Sequence, residues 1–188
     1  NEANLKQARL VAEMGYTVYV VDMYGKDVRP ANTDEAGKAA GAVKGDTPAM
    51  RARINQALTT LLAQTQAPVD PKRVGAIGFC FGGTVALELA RSGASVAGVV
   101  SFHGGLATTA PASGDTLKAK VLVLHGADDP YVPAKEVDAL QAEMRAAKGF
   151  LDLGGVPVLV GLQPIRGAFR ARPPLGAVVC LRALDAGE

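Results

Sequence analysis

The stretch Val74-Gly75-Ala76-Ile77-Gly78-Phe79-Cys80-Phe81-Gly82-Gly83 decides how the rest of the chain is read. Val74 to Phe79 has the apolar character of a strand. Gly82 to Ser92 has the spacing of a helix, and Gly93 stops it. Between them stands Gly-x-Cys-x-Gly-Gly, the pattern of a sharp strand-to-helix turn that presents a nucleophile. Such a turn tolerates only small neighbours, because a bulky side chain two residues to either side would strike the adjoining strand or helix. The turn puts the Cys80 thiol at a helix N-terminus, whose partial positive charge favours the thiolate. The N–H of Phe81 is then aimed where an oxyanion would form. A lone cysteine is most often a small buried hydrophobe. Glycines at −2, +2 and +3 in this context reverse those odds for Cys80, whereas Cys180 has no such setting.

Working outward, strands and helices alternate. Residues 3–14 carry Leu5, Ala8, Val11 and Ala12 on one helical face and end at Gly15, and residues 16–22 (YTVYVVD) form a nearly continuous β-branched and aromatic strand. The Gly- and Ala-rich segment from Met23 to Asp46 reads as a loop holding a short helix near Asp34 to Val43. Thr47-Pro48 has the form of an N-cap and first-turn proline, followed by Ile54, Leu58, Leu61 and Leu62 at helical spacing. Val96 to Phe102 and Lys120 to His125 read as strands. Pro133 opens a helix with Val137, Leu140 and Met144 on one side and Gly149 as its cap. This alternation implies a mainly parallel, doubly wound α/β sheet with right-handed crossovers.

A second chemical feature follows the strand at 120–125. In His125-Gly126-Ala127-Asp128-Asp129-Pro130-Tyr131-Val132-Pro133, acids stand at the strand's end. A carboxylate there can orient a histidine and stabilise its charged form, and nucleophile before acid is the chain order that such triads use on this kind of sheet. Without the turn at Cys80, these acids would read as a solvated turn or a helix cap. The histidines are His103, at the end of the strand after the nucleophile helix, and His125, inside a strand. His125 reads as a core histidine with a satisfied partner. His103 is on the correct edge and is a candidate alternative base, although a structural or substrate-facing role suits it better. Asp22 reads as a loop anchor, and Arg51 and Arg53 as a solvated helix face rather than an anion site.

Composition limits the remaining classes. With 188 residues, 48% hydrophobic and 20% charged, the chain fits a single domain with a real core. A net charge of +2, spread without basic runs, gives no reason to expect nucleic acid or an anionic membrane as partner. Two distant cysteines make neither a disulfide framework nor a metal site, so a reducing cytoplasm is expected. No apolar run is long enough to span a bilayer. The tail differs in kind: residues 149–188 contain no Ser, Thr, Asn, Lys, Tyr, His or Met, and Gly, Pro, Leu, Val, Ala and Arg dominate. A GC-rich gene read out of frame gives this skew, although Val156 to Val160 and Gly176 to Leu181 have strand character.

Gly-Phe-Cys-Phe-Gly-Gly, a strand ending Ser-Phe-His-Gly-Gly, and the segment His-Gly-Ala-Asp-Asp-Pro-Tyr-Val-Pro together resemble the dienelactone hydrolase family of α/β-hydrolases over residues 1–148. The resemblance implies a Cys-His-Asp triad with Cys80 as nucleophile and Phe81 N–H in the oxyanion hole. The acid of the family's Asp-x-x-Val-Pro segment falls on Asp129, with Asp128 the weaker candidate. It implies hydrolysis of esters or lactones of the carboxymethylenebutenolide type through an acyl-enzyme, without cofactor or metal, on a small-molecule substrate, by a monomer. Two departures matter. Family members carry the triad histidine after the next strand, and no histidine follows His125. Their additional N-terminal strands supply a second oxyanion N–H, and this chain starts at Asn1 downstream of them. The expected organisation is thus a hydrolase core at 1–148 and an atypical, non-native or frameshifted tail at 149–188. The rivals are an inactive fragment of such an enzyme and a broad-specificity esterase.

Overall fold

In a computed structural model, the structure describes residues 2–67, 69–126, 128–147, 160–163 and 180–184, the last two segments by backbone alone. The elements in chain order are α1 (Glu2–Glu13), β1 (Tyr16–Val20), α2 (Thr33–Lys44), α3 (Thr47–Ala63), β2 (Val74–Phe79), α4 (Phe81–Arg91), β3 (Gly98–Phe102), β4 (Lys120–Gly126), α5 (Ala134–Ala146), β5 (Val160–Gln163) and β6 (Cys180–Leu184). They build a six-stranded sheet in the order β1-β6-β2-β3-β4-β5. The run β2-β3-β4-β5 is parallel, and β6 lies antiparallel between β1 and β2. Parallel pairing brings the carboxyl ends of β2, β3 and β4 to one edge, which is where the site forms.

Helices cover both faces. Val74 and Ala76 of β2 point to the main core, where they meet Ile54, Leu58 and Leu61 of α3, Val85 and Leu89 of α4, and Leu140 and Met144 of α5. The next residue along β2, Ile77, points to the opposite face and packs with Val18, Val20 and Ala8 of α1. Ile54, Val85 and Leu89 are fully buried, and each contributes about 1.5–3 kcal/mol of transfer free energy. The α/β architecture expected from the alternating pattern is therefore the one formed.

Helix starts show how the local sequence selects these bounds. Asn32 caps α2 by accepting from Glu35 N–H at 2.9 Å, while the Glu35 carboxylate accepts from Ala31 N–H at 2.8 Å and from the Asn32 amide. The α3 cap falls one residue earlier than Thr47-Pro48 suggests. Asp46 accepts from Ala49 N–H at 2.9 Å, because its carboxylate reaches the free first-turn donors and complements the helix dipole better than a hydroxyl does. Thr47 is instead buried, and its hydroxyl is paired with that of Thr109 at 2.9 Å. α5 ends at an Ala147 cap, and the expected Gly149 cap lies outside the described residues. In the tail, Val160 begins β5 and Cys180 begins β6. Residues 156–159 and 176–179, which share the expected strand character, also lie outside the described residues.

Candidate active site

The turn after β2 is built by close backbone approach. A Cβ on Gly78 would run into the carbonyl of Gly82, and one on Gly83 would sit 2.6 Å from Ser101 Oγ and 3.0 Å from Gly104 Cα. Reciprocally, a Cβ on Gly104 would lie 2.7 Å from Thr84 N. The glycines of the motif thus let the first turn of α4 lie directly on β2 and on the loop after β3. Thr84 Oγ1 secures that loop by donating to Gly105 O at 3.1 Å.

Cys80 sits at the bend with φ 53° and ψ −120°, a left-handed conformation that costs a side-chain-bearing residue of order 1–3 kcal/mol. Its N–H donates to Phe102 O at 2.9 Å, and its carbonyl accepts from Gly83 N–H at 2.9 Å, so strand and helix hold the residue from both sides. The side chain is half-buried. Phe81 is the first residue of α4, where backbone N–H groups have no intrahelical acceptor and remain available to an anion.

His103 follows β3 on the same edge. It is the other described non-glycine residue with positive φ (42°); its N–H donates to Leu124 O at 2.8 Å, and its ring is tilted against Phe79 at 6.4 Å. Asp129 follows β4 on that edge. It is buried at 8% exposure, its N–H donates to Gly126 O at 3.2 Å, and its Oδ1 accepts from Tyr131 N–H at 2.9 Å, while Asp128 is exposed. The structure therefore brings Cys80, Phe81, His103 and Asp129 to the carboxyl ends of three adjacent strands. His125 stays inside β4 on the face of Val121 and Val123. Contrary to expectation, its buried Nδ1 has no hydrogen-bond partner among the described residues. No group of three or more His, Cys, Asp or Glu among the described residues is arranged to hold a metal ion.

Two supports of this edge escape a reading of local motifs. The first is Tyr24, whose ring stacks on Phe81 with centroids 5.6 Å apart and planes 12° apart. Burial pushes its phenol pKa above the ordinary value, and negative charge at Cys80 and then at Asp22 pushes it further. Asp22 accepts from Tyr24 N–H at 3.0 Å and from Gly25 N–H at 3.2 Å, and pairs with Arg29 at 2.9 Å, so it anchors the Tyr24 loop. The second is a buried chain of charges beneath the loop after β3. Glu88 pairs with Arg51 at 2.8 Å and with Arg91 at 2.9 Å, and Arg91 reaches Glu143 at 2.8 Å. From this chain, Arg51 donates to Ala110 O and Arg91 to Leu106 O, while Glu143 accepts from Ala112 N–H. Arg51 is thus a structural group rather than part of a solvated helix face.

Residues 1–153 match the dienelactone hydrolase family. The chain belongs to that family. Among solved structures, m3DLH superposes with a TM-score of 0.72 at 39% identity over 80% of this chain and 62% of its own. A dienelactone hydrolase-like promiscuous phosphotriesterase, P91 from metagenomic libraries, superposes with a TM-score of 0.70 at 36% identity and the same coverage. An uncharacterized protein of Caenorhabditis elegans is 36% identical over 52% of this chain and 61% of its own length. The Synechocystis protein named "Putative carboxymethylenebutenolidase" is 27% identical over 70% of this chain and 57% of its own. The chain spans about three-fifths of the length of these members of the comparison. Among the described residues, no helix is long and apolar enough to cross a membrane.

Proposed function

We propose that the chain carries the nucleophile half of a cysteine hydrolase acting on small-molecule esters or lactones. The observation that carries this reading is the strained Cys80 at the N-terminus of α4, since a left-handed bend enforced by glycine packing serves no purpose for a cysteine that merely fills space. Cys80 Sγ adds to the carbonyl carbon. The oxygen of the resulting tetrahedral species takes the negative charge and accepts from Phe81 N–H, and collapse expels the alcohol to leave a thioester. Asp129 orients the imidazole that removes the thiol proton and hands it to the leaving oxygen. Water then attacks the thioester and regenerates the thiol.

The histidine is the variable part. No histidine follows His125 in the sequence, and His103 is the one on the nucleophile's edge, which makes it the alternative base to test. The same fact favours a second reading, in which the chain acylates at Cys80 but does not turn over. Stopped-flow release of 4-nitrophenolate from 4-nitrophenyl acetate separates the two. We expect a burst of one equivalent that disappears in Cys80→Ala. The steady state after it should be slow, because loss of a triad member in serine enzymes costs on the order of 10⁴- to 10⁶-fold. Absence of a Cys80-dependent burst would defeat the reading, whereas rapid turnover abolished by His103→Ala would assign the base. The likeness to a promiscuous phosphotriesterase makes a phosphotriester the natural second electrophile for the same assay.

A further inference from the structure

A cavity of about 320 Å³ opens between the loop after β1, α2 and α3. Val28, Ala39, Ala42, Val43 and Met50 supply an apolar wall, and the ring of Tyr24 completes it. This volume falls at the lower end of the range for small-molecule pockets, and alanines at 39 and 42 leave it open where larger side chains would fill it. Cys80 does not line the cavity. Tyr24 is the link, because the ring that forms the cavity wall also stacks on Phe81, the neighbour of the nucleophile. Burial raises the Tyr24 pKa most, and negative charge at Cys80 adds to the rise.

The wall is held in place rather than left to move with a surface loop. Asp22 binds the Tyr24 and Gly25 N–H groups, and Arg53 of α3 donates to Met23 O at 2.8 Å, which ties the loop to the helix across the cavity. The two charged residues on the lining are already engaged: Asp46 Oδ1 caps α3, and Arg53 makes that bond to Met23. Their opposite charges leave no net preference for an ionic ligand.

We infer that this cavity is the subsite for the unbranched apolar acyl chain of a substrate attacked at Cys80, with Tyr24 as the wall shared by the chain and the reacting carbonyl. The inference rests on the ester-hydrolase reading for its substrate, yet its geometry can be tested without ester hydrolysis. Cys80 of the full chain is alkylated with iodoacetamide or with N-hexyl iodoacetamide, in each case by attack of Sγ on the methylene carbon, loss of iodide and release of the thiol proton to water. Modification is followed by mass, and rates are normalised to those of free cysteine. We expect the hexyl reagent to react faster and to saturate, with a gain of up to about fourfold for each methylene buried. Ala42→Trp, at an exposed helix position, and Val28→Trp, at a position 42% exposed, should bring the hexyl-to-parent ratio towards one. A normalised ratio near one in the unmodified sequence, or a raised ratio that neither tryptophan lowers, would overturn the subsite. Failure of the nitrophenolate burst defeats the hydrolase reading alone, since alkylation does not depend on it.

Discussion

The elbow around Cys80 and the loop at 104–112 adjoin one another, yet they are specified in opposite ways. The elbow is written within six consecutive residues, and its bend is closed by contacts among them: Gly78 lies against Gly82, and the Cys80 carbonyl receives Gly83 N–H. The loop is held by side chains gathered from three helices: Arg51 on α3, Arg91 on α4 and Glu143 on α5 bond its backbone, and Glu88 on α4 pairs with both arginines. Local packing of small residues thus sets the bend at Cys80, while long-range charge pairing sets the wall beside it. Damage to the two regions should therefore look different.

The largest effect is expected at Arg91. Arg91 is 3% exposed and pairs with the carboxylates of both Glu88 and Glu143, so Arg91→Ala would take a cationic partner from each of two buried acids and leave Glu88 with Arg51 alone. Breaking a buried pair in this way costs about 3–5 kcal/mol, visible as a lower urea midpoint. The loss should extend to the loop, whose Leu106 carbonyl Arg91 also holds. A loss below about 1 kcal/mol would mean that the pairing is no stronger than a surface ion pair, and the contrast with the elbow would then disappear.

A smaller effect is expected at Gly78. Adding one methyl there forces the carbonyl of Gly82 aside, an overpacking strain of roughly 1–3 kcal/mol. Because that carbonyl belongs to the first turn of α4, Gly78→Ala should also depress alkylation of Cys80 by more than its stability loss explains, whereas Arg91→Ala should not. Equal reactivity of Cys80 in Gly78→Ala and the unmodified sequence would show that the turn absorbs the methyl and that glycine is not required.

This asymmetry also explains what could be read in advance. The strand at Val74 to Phe79, the tight turn at Cys80 and the place of Asp129 after β4 were legible because each is a contiguous pattern whose physical cause acts over a few residues. The roles of Arg51, Glu88, Arg91 and Glu143 were not, since nothing in a helix's own spacing says which distant carboxylate its arginine will meet. Tyr24 was hidden for the same reason: its stacking partner, Phe81, is far along the chain. The α3 cap was misplaced by one residue because Asp46 and Thr47 are both good caps, and only the observed hydrogen bond to Ala49 selects between them. The Nδ1 of His125 shows the limit of composition-based reasoning, because burial of this ring nitrogen comes with no hydrogen-bond partner among the described residues.

The smallest effect expected concerns Tyr24, and it tests whether the loop after β1 and the elbow share a field at Cys80. The Tyr24 pKa is raised above 10.0, first by burial, then by charge at Cys80, then by Asp22. A phenol whose folded pKa exceeds its unfolded value keeps its proton longer in the folded state. Between the two values the unfolded chain binds fewer protons, so stability falls as pH rises through that window and is fully present below about pH 10. Ultraviolet titration of phenolate in the unmodified sequence and in Tyr24→Phe isolates this group from the other three tyrosines by difference. Removing the thiolate in Cys80→Ala should lower the Tyr24 pKa part of the way towards its ordinary value, because burial, the larger cause, remains. Asp22→Asn should lower it by less than Cys80→Ala does, once its effect on the loop has been checked through the Tyr24 and Gly25 amide resonances. If Cys80→Ala leaves the Tyr24 titration unmoved, the phenol and the thiol do not share a field.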